Sequence, residues 1–174
     1  MPLIATRTVD DAFYDELSIR TDDARGVVEV SGAQVPTVVI TRSPEAPLNR
    51  FVPIGSREPG QLSMTVGEAV ADLRPGKGKW TRGSYRVDLT AAGKRYRFKP
   101  NSIATSQLIR DGKKIFEPSM DDEDGDFLVQ WLVNRDDTEP ADAAIGYALA
   151  VAFRTGAMSL FSMLLSGAEM AGPG

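Results

Sequence analysis

An apolar run near the C-terminus, residues 143–165, constrains the fold of this chain more than any other segment. Its length suits a membrane-spanning helix, which needs about 20 apolar residues. Arg154 lies at its midpoint, however, and a central arginine costs roughly 2.5–3.5 kcal/mol of insertion free energy, about what the large apolar residues of the run offset. Acidic residues precede the run, where a basic cluster would favour a spanning helix. We therefore expect a helix buried within a protein, with a membrane tail anchor as the alternative.

The composition of the run favours a helix over a strand. Large and small residues alternate over 145–153, but alanine fills most of the small positions and is depleted in strands. Wound as a helix, Ile145 and Leu149 share one face and Tyr147 lies nearly opposite. A helix that is apolar on all sides belongs in the middle of a structure. The sequence predicts this helix over residues 140–166.

The chain before this helix reads as a series of short strands. Valine-rich runs at 27–30 and 35–40 flank a Ser-Gly-Ala turn and predict a hairpin. Glycine and proline turns separate the later candidates at short, regular intervals, which indicates an antiparallel barrel or sandwich. Further strands are predicted at 51–54, 61–66, 84–89, 94–99, 103–109, 113–117 and 127–133.

The domain organisation follows from these patterns. Residues 1–25, with a faint helical period over 9–19, are expected to form an N-terminal arm or a short helix. A single β-rich domain is expected over 26–168, with a flexible tail at 169–174. The first residues lack the basic and apolar regions of a signal peptide, which predicts a cytoplasmic protein, membrane-peripheral if it binds lipid.

The second half of the chain resembles the tubby-like superfamily, which includes the LURP-one-related and phospholipid-scramblase-like proteins. The resemblance covers residues 80–165 and is carried by the layout of strands and helix at 85–87, 93–98, 108–115, 127–133 and 142–153. It implies a closed antiparallel barrel of about a dozen short strands around one hydrophobic C-terminal helix. The chain departs from the family in the second apolar stretch after Arg154. Functions differ widely within such a fold, so the resemblance predicts the fold and does not predict a particular activity.

No catalytic constellation is present in the sequence. Histidine and cysteine are absent, which removes the commonest general base and most zinc sites. The Gly- and Lys-rich residues 74–79 lack the spacing of a phosphate-binding loop and predict an exposed turn. The acidic residues 121–126, placed in an EF-hand frame, would put methionine and tryptophan at ligand positions, so they predict a charged turn. We therefore predict a non-enzymatic protein without a metal or cofactor.

Residues 77–99 carry eight cations and one acid. If 94–99 is a strand, Tyr96 and Phe98 point to one face and Arg95, Arg97 and Lys99 to the other. We name Arg86, Arg95, Arg97 and Lys99 the basic face and predict that they bind an anionic lipid headgroup or a phosphorylated ligand. The alternative is a solvated sheet face, charged to protect an edge.

Two other kinds of partner follow from charge and hydropathy. Nucleic acid is disfavoured, because residues 121–142 hold nine acids that oppose the field of the basic face. Apolar residues after Arg154 extend past what a small barrel encloses. They predict a protein-interaction or structural subunit that docks through Leu160, Phe161 and Leu164.

Overall fold

The computed structural model describes residues 4–79, 81–120 and 127–155. The described chain is mainly β, with eleven antiparallel strands followed by one α-helix. Short 3₁₀ turns occur at Pro59–Gln61, Arg82–Tyr85 and Arg135–Asp137. The regular elements are β1 (Ile4–Asp11), β2 (Asp15–Asp22), β3 (Val27–Gly32), β4 (Val35–Arg42), β5 (Leu62–Val66), β6 (Ala69–Pro75), β7 (Val87–Ala91), β8 (Lys94–Pro100), β9 (Ser106–Arg110), β10 (Lys113–Met120), β11 (Phe127–Trp131) and α1 (Pro140–Phe153).

Each strand pairs with its neighbours in sequence, so the sheet is a continuous up-and-down meander. Because the number of strands is odd, β1 and β11 run in the same direction. Side chains bring these two edges together: Arg7 stacks over the Phe127 ring at 5.2 Å, and Trp131 Nε1–H donates to Asp11 at 3.1 Å. The eleven strands thus form a nearly closed barrel, in which side chains join the two edge strands.

The two ends of the sheet differ in the length of their connections. Tight turns at 12–14, 33–34, 67–68, 92–93 and 111–112 form what we name the hairpin end. Longer connections at 43–61, 76–86 and 101–105 lie at the opposite end, named the loop end. Long surface connections are where binding residues concentrate, so the loop end is the more informative for function.

Helix α1 contacts both ends. At its N-terminus Asp142 and Glu139 form a reciprocal capping box, and Glu139 pairs with Lys94 beside the β7–β8 turn. In its last turn the Ala152 carbonyl accepts from Ile54 N–H at 3.0 Å, within a connection of the loop end. Almost every residue of α1 is buried, and the helix packs on β3, β4 and β10. Its all-round burial agrees with the all-round apolar sequence.

The predicted hairpin is confirmed as β3 and β4, and the strands predicted from 61 to 133 are largely confirmed, with shifted ends. The prediction of a helix or arm at the N-terminus is wrong, because residues 4–22 form the β1–β2 hairpin. Here Asp11, near the turn, accepts backbone N–H groups from Phe13 and Tyr14, a local cap that the faint helical period obscured. Residues 51–54 are turns rather than a strand, and β6 was not predicted.

The described helix is shorter than the predicted one. It ends at Phe153, and Arg154 follows with a φ of 67°, a left-handed conformation that interrupts helical winding. The remainder of the predicted helix and the predicted tail lie outside the described residues. No helix among the described residues has both the length and the hydropathy needed to cross a bilayer.

Candidate functional site

Strand β8 presents three residues of the basic face, Arg95, Arg97 and Lys99, on its outer side, as predicted. Tyr96 and Phe98 are 3% and 2% exposed and point into the core, while Arg95 and Arg97 are exposed on the opposite side. The alternation follows from the period of two that every strand imposes on its side chains. Lys99 lies on the same outer face as the arginines and is partly exposed.

The outer side chains of β6–β9 line an open groove of about 610 Å³. Six of these side chains are charged, and they belong to Asp72, Arg74, Asp88, Arg95, Arg97 and Lys99. Pairing register places Arg97 directly opposite Asp88 and Arg95 opposite Thr90. The groove therefore has four cations against two acids, and strand register decides which of them meet.

Two arginines of the groove are neutralised by its own acids. Arg97 donates to both oxygens of Asp88, at 2.7 and 3.2 Å, and these bonds raise the pKa of Arg97. Arg74 Nε donates to Asp72 at 2.9 Å. Both pairs are exposed, so each contributes at most about 1 kcal/mol to stability. They hold the guanidinium groups in place more than they stabilise the fold.

The side chains of Arg95 and Lys99 remain without an ion-pair partner among the described residues. The nearby Asp111 carboxylate accepts from the Arg95 backbone N–H at 2.9 Å, and forms no ion pair with the Arg95 guanidinium. Arg95 and Lys99 flank Arg97 on the same strand and are four positions apart, which corresponds to about 13 Å at a rise of about 3.3 Å per residue. A guanidinium and an ammonium without an ion-pair partner are strong donors for phosphate-like oxygens. These two side chains are therefore the cations of the groove that are available to bind an anion.

Arg86 lies at the edge of the groove and does not line it. Its Nε approaches Asp88 at 3.4 Å, and its Nη1 donates to the Gly83 carbonyl at 3.1 Å. Asp72 and Arg74 were missed by sequence reasoning because β6 was not recognised as a strand. The alternation of buried Ala71 and Leu73 with exposed neighbours could have revealed it.

Outside the groove, two of the buried carboxylates, Asp11 and Asp142, bond to tyrosine hydroxyls in the core. Asp11 accepts from Trp131 Nε1–H and from the Tyr147 hydroxyl at 2.8 Å, and burial beside Asp11 raises the pKa of Tyr147 well above its ordinary value. Asp142 accepts from the Tyr96 hydroxyl at 2.8 Å and pairs with Arg110. Both carboxylates are occupied by protein donors, so they are structural.

Two of the sequence predictions fall outside the described residues. The acidic segment 121–126 is one of them. The other is the predicted docking segment with Leu160, Phe161 and Leu164. Neither contributes to the site described above, and both predictions stay predictions.

This chain matches no family model, no curated protein and no solved structure. The tubby-like resemblance therefore remains an interpretation of the sequence layout. A function for the groove therefore has to be argued from the geometry of its side chains.

Proposed function

We propose that this protein is a non-enzymatic binding module whose groove on β6–β9 takes an anionic ligand, either a phosphorylated small molecule or a lipid headgroup. The observation that carries the proposal is the pair Arg95 and Lys99, which flank the groove without an ion-pair partner among the described residues. Arg97, held by Asp88, supplies a fixed cation between them.

We also infer that α1 runs through the interior of the barrel. Its buried surface on all sides supports this, as do its contacts with the hairpin end through Lys94 and with the loop end through Ile54. A meander of eleven strands with one buried C-terminal helix agrees with the tubby-like layout. On this basis we propose membership of that superfamily, and a cytoplasmic, membrane-peripheral location if the ligand is a lipid headgroup.

The test uses Arg95→Glu together with Lys99→Glu. Reversing Arg97 would be less informative, because it would place a carboxylate beside Asp88 and destabilise the sheet. Each cation near an anionic surface contributes about 1 kcal/mol. Replacing both by acids is therefore expected to lower vesicle affinity by at least about 30-fold, at roughly 1.4 kcal/mol per tenfold change.

The measurement is co-sedimentation with phosphatidylcholine vesicles that contain or lack phosphatidylserine, in parallel with titration of inorganic phosphate. The matched control is Arg25→Glu with Arg50→Glu, which changes the same charge at exposed positions outside the groove. Equal binding by the groove variant and the control variant would show that only net charge matters. No saturable binding by the unmodified protein to vesicles or phosphate would overturn the proposal.

A further inference from the structure

The connection between β6 and β7, residues 76–86, contains four cations and no acid. We name it the basic loop. Lys77, Lys79 and Arg82 are exposed, and no acid among the described residues lies within ion-pair distance of them. Trp80 lies outside the described residues. Like charges this close together repel each other in the free protein, and a bound anion relieves that repulsion.

Backbone hydrogen bonds join the described parts of the two arms of the basic loop. Gly76 N–H donates to the Arg86 carbonyl at 2.7 Å, and Gly78 N–H donates to the Ser84 carbonyl at 2.9 Å, which closes the loop like a short ladder. The Ser84 hydroxyl donates to the Thr81 carbonyl at 2.6 Å. A loop held this way loses little conformational entropy when its side chains meet a ligand.

Arg57 holds the basic loop through hydrogen bonds to its backbone. Its guanidinium donates to the Gly76 and Tyr85 carbonyls at 3.3 and 3.5 Å and stacks between the rings of Tyr85 and Phe153, at 5.1 and 5.4 Å. Gly78, with a φ of 68°, packs directly on the Arg57 side chain. Burial lowers the pKa of Arg57 to about 10, and no acid among the described residues pairs with it. The Arg57 guanidinium therefore acts as a hydrogen-bond donor to the backbone carbonyls of the loop.

The basic loop continues the groove. The register pairs Val87 with Phe98, which places Arg86, the last residue of the loop, beside Lys99. Lys99 in turn lies about 13 Å along the strand from Arg95. The cations thus extend from Arg95 past Lys99 and onto the loop end, farther than a single phosphate can reach, since ion pairs form only within about 4 Å.

We propose that the groove and the basic loop form one extended site for a polyanion, with Lys77, Lys79 and Arg82 as its second half and Arg57 as the residue that positions them. This rests on the proposed function and narrows its ligand to one that carries several phosphate-like groups. A single phosphate would contact only one part of the site. A polyanion contacts both parts and gains from each of them.

The test compares linear polyphosphate with orthophosphate as probes, over a series of salt concentrations. Each neutralised phosphate changes the slope of log affinity against log salt by about 0.7–0.9. Replacing Lys77, Lys79 and Arg82 by Gln is therefore expected to make the slope shallower by about two and to weaken polyphosphate binding at least about tenfold. Orthophosphate binding should stay unchanged. The matched control replaces Arg20, Arg25 and Arg50 by Gln, three exposed cations outside the groove and the basic loop.

Arg57→Met tests the positioning role without removing an exposed charge. It is expected to weaken polyphosphate binding in the unmodified protein but not in the Lys77/Lys79/Arg82 variant, since the two changes act through the same loop. Arg57→Lys keeps the charge and loses the planar fork, so it should weaken binding as Met does. An equal loss from Arg57→Met in both backgrounds would show that Arg57 does not act through the loop.

The outcomes separate this inference from the proposed function. If the loop variant binds polyphosphate like the unmodified protein while Arg95→Gln with Lys99→Gln does not, the extended site is wrong and the groove remains. If the unmodified protein binds neither probe nor phosphatidylserine vesicles, the proposed function fails first. If the loop substitutions weaken vesicle binding, the polyanion is a membrane surface. If they weaken polyphosphate binding and leave vesicle binding unchanged, the polyanion is a free ligand.

Discussion

Gly146, in the middle of α1, allows the helix to lie close to the Phe116 ring of β10. A Cβ placed there would come within 2.6–3.0 Å of three atoms of the Phe116 ring, on β10. Real Cβ atoms do not approach so closely, so the ring or the helix would have to move. Glycine otherwise weakens a helix by about 1 kcal/mol relative to alanine. Its presence therefore reflects packing against Phe116, not local preference.

We expect Gly146→Ala to lower the free energy of unfolding by about 1–3 kcal/mol through overpacking, despite the better helix propensity of alanine. Urea denaturation measures the effect. Combining it with Phe116→Leu, which makes room for the methyl group, should recover part of the loss relative to Phe116→Leu alone. A stabilising effect of Gly146→Ala in the unmodified protein would show that this contact is not tight.

At the scale of elements, the N-terminus of α1 is joined to β8 and β9 by one buried carboxylate. Asp142 accepts from the Tyr96 hydroxyl and from Glu139 N–H, both at 2.8 Å, and it pairs with Arg110. Burial nevertheless raises the pKa of Asp142 above its ordinary 3.8, because loss of water outweighs these partners. Burial and the nearby charge of Asp142 also raise the pKa of Tyr96 beyond the accessible range.

A raised carboxyl pKa means that the folded state binds more protons than the unfolded state between the two pKa values. The contribution of Asp142 to stability therefore falls as pH rises from about 4 through its folded pKa. We expect the difference in unfolding free energy between the unmodified protein and Asp142→Asn to shrink over that window. Denaturant titrations at a series of pH values measure it. A difference that grows with pH would show that Arg110 outweighs burial.

At the scale of the whole molecule, Asp11 joins three distant parts of the chain. It accepts from the backbone of the β1–β2 turn, from Trp131 on β11 and from Tyr147 on α1. The parallel edges β1 and β11 have no backbone pairing among the described residues. Side-chain contacts such as this one therefore close the barrel.

We expect Asp11→Asn to destabilise the fold by at least about 1–3 kcal/mol, because an amide NH₂ would face donors in a buried site. Asp10→Asn is the matched control: Asp10 is adjacent and exposed, and its replacement should change stability by no more than about 0.5 kcal/mol. Urea denaturation compares the two variants. Equal, small effects would mean that the barrel edges are held together by other contacts.

The sequence by itself determined the features that depend on local periodicity. The β class, the β3–β4 hairpin, the buried helix after residue 140 and the outward Arg95 and Arg97 all follow from alternation and turn chemistry within short windows. The same reasoning missed β1, β2 and β6. These strands bury few large apolar side chains: none in β1, Leu17 and Ile19 in β2, and Leu73 in β6. The period-two pattern in each of them is therefore short.

Only the tertiary structure decided which charges meet. Asp88 neutralises Arg97 rather than Arg95 because the register of β7 and β8 places them opposite each other, and register is a relation between strands. The same holds for Asp11, whose partner Trp131 is 120 residues away in sequence. Periodicity tells which face a side chain occupies, but its neighbours on that face come from the pairing of distant segments. For this reason the sequence identified the cations, but it did not show that Arg95 and Lys99 would be the two without an ion-pair partner.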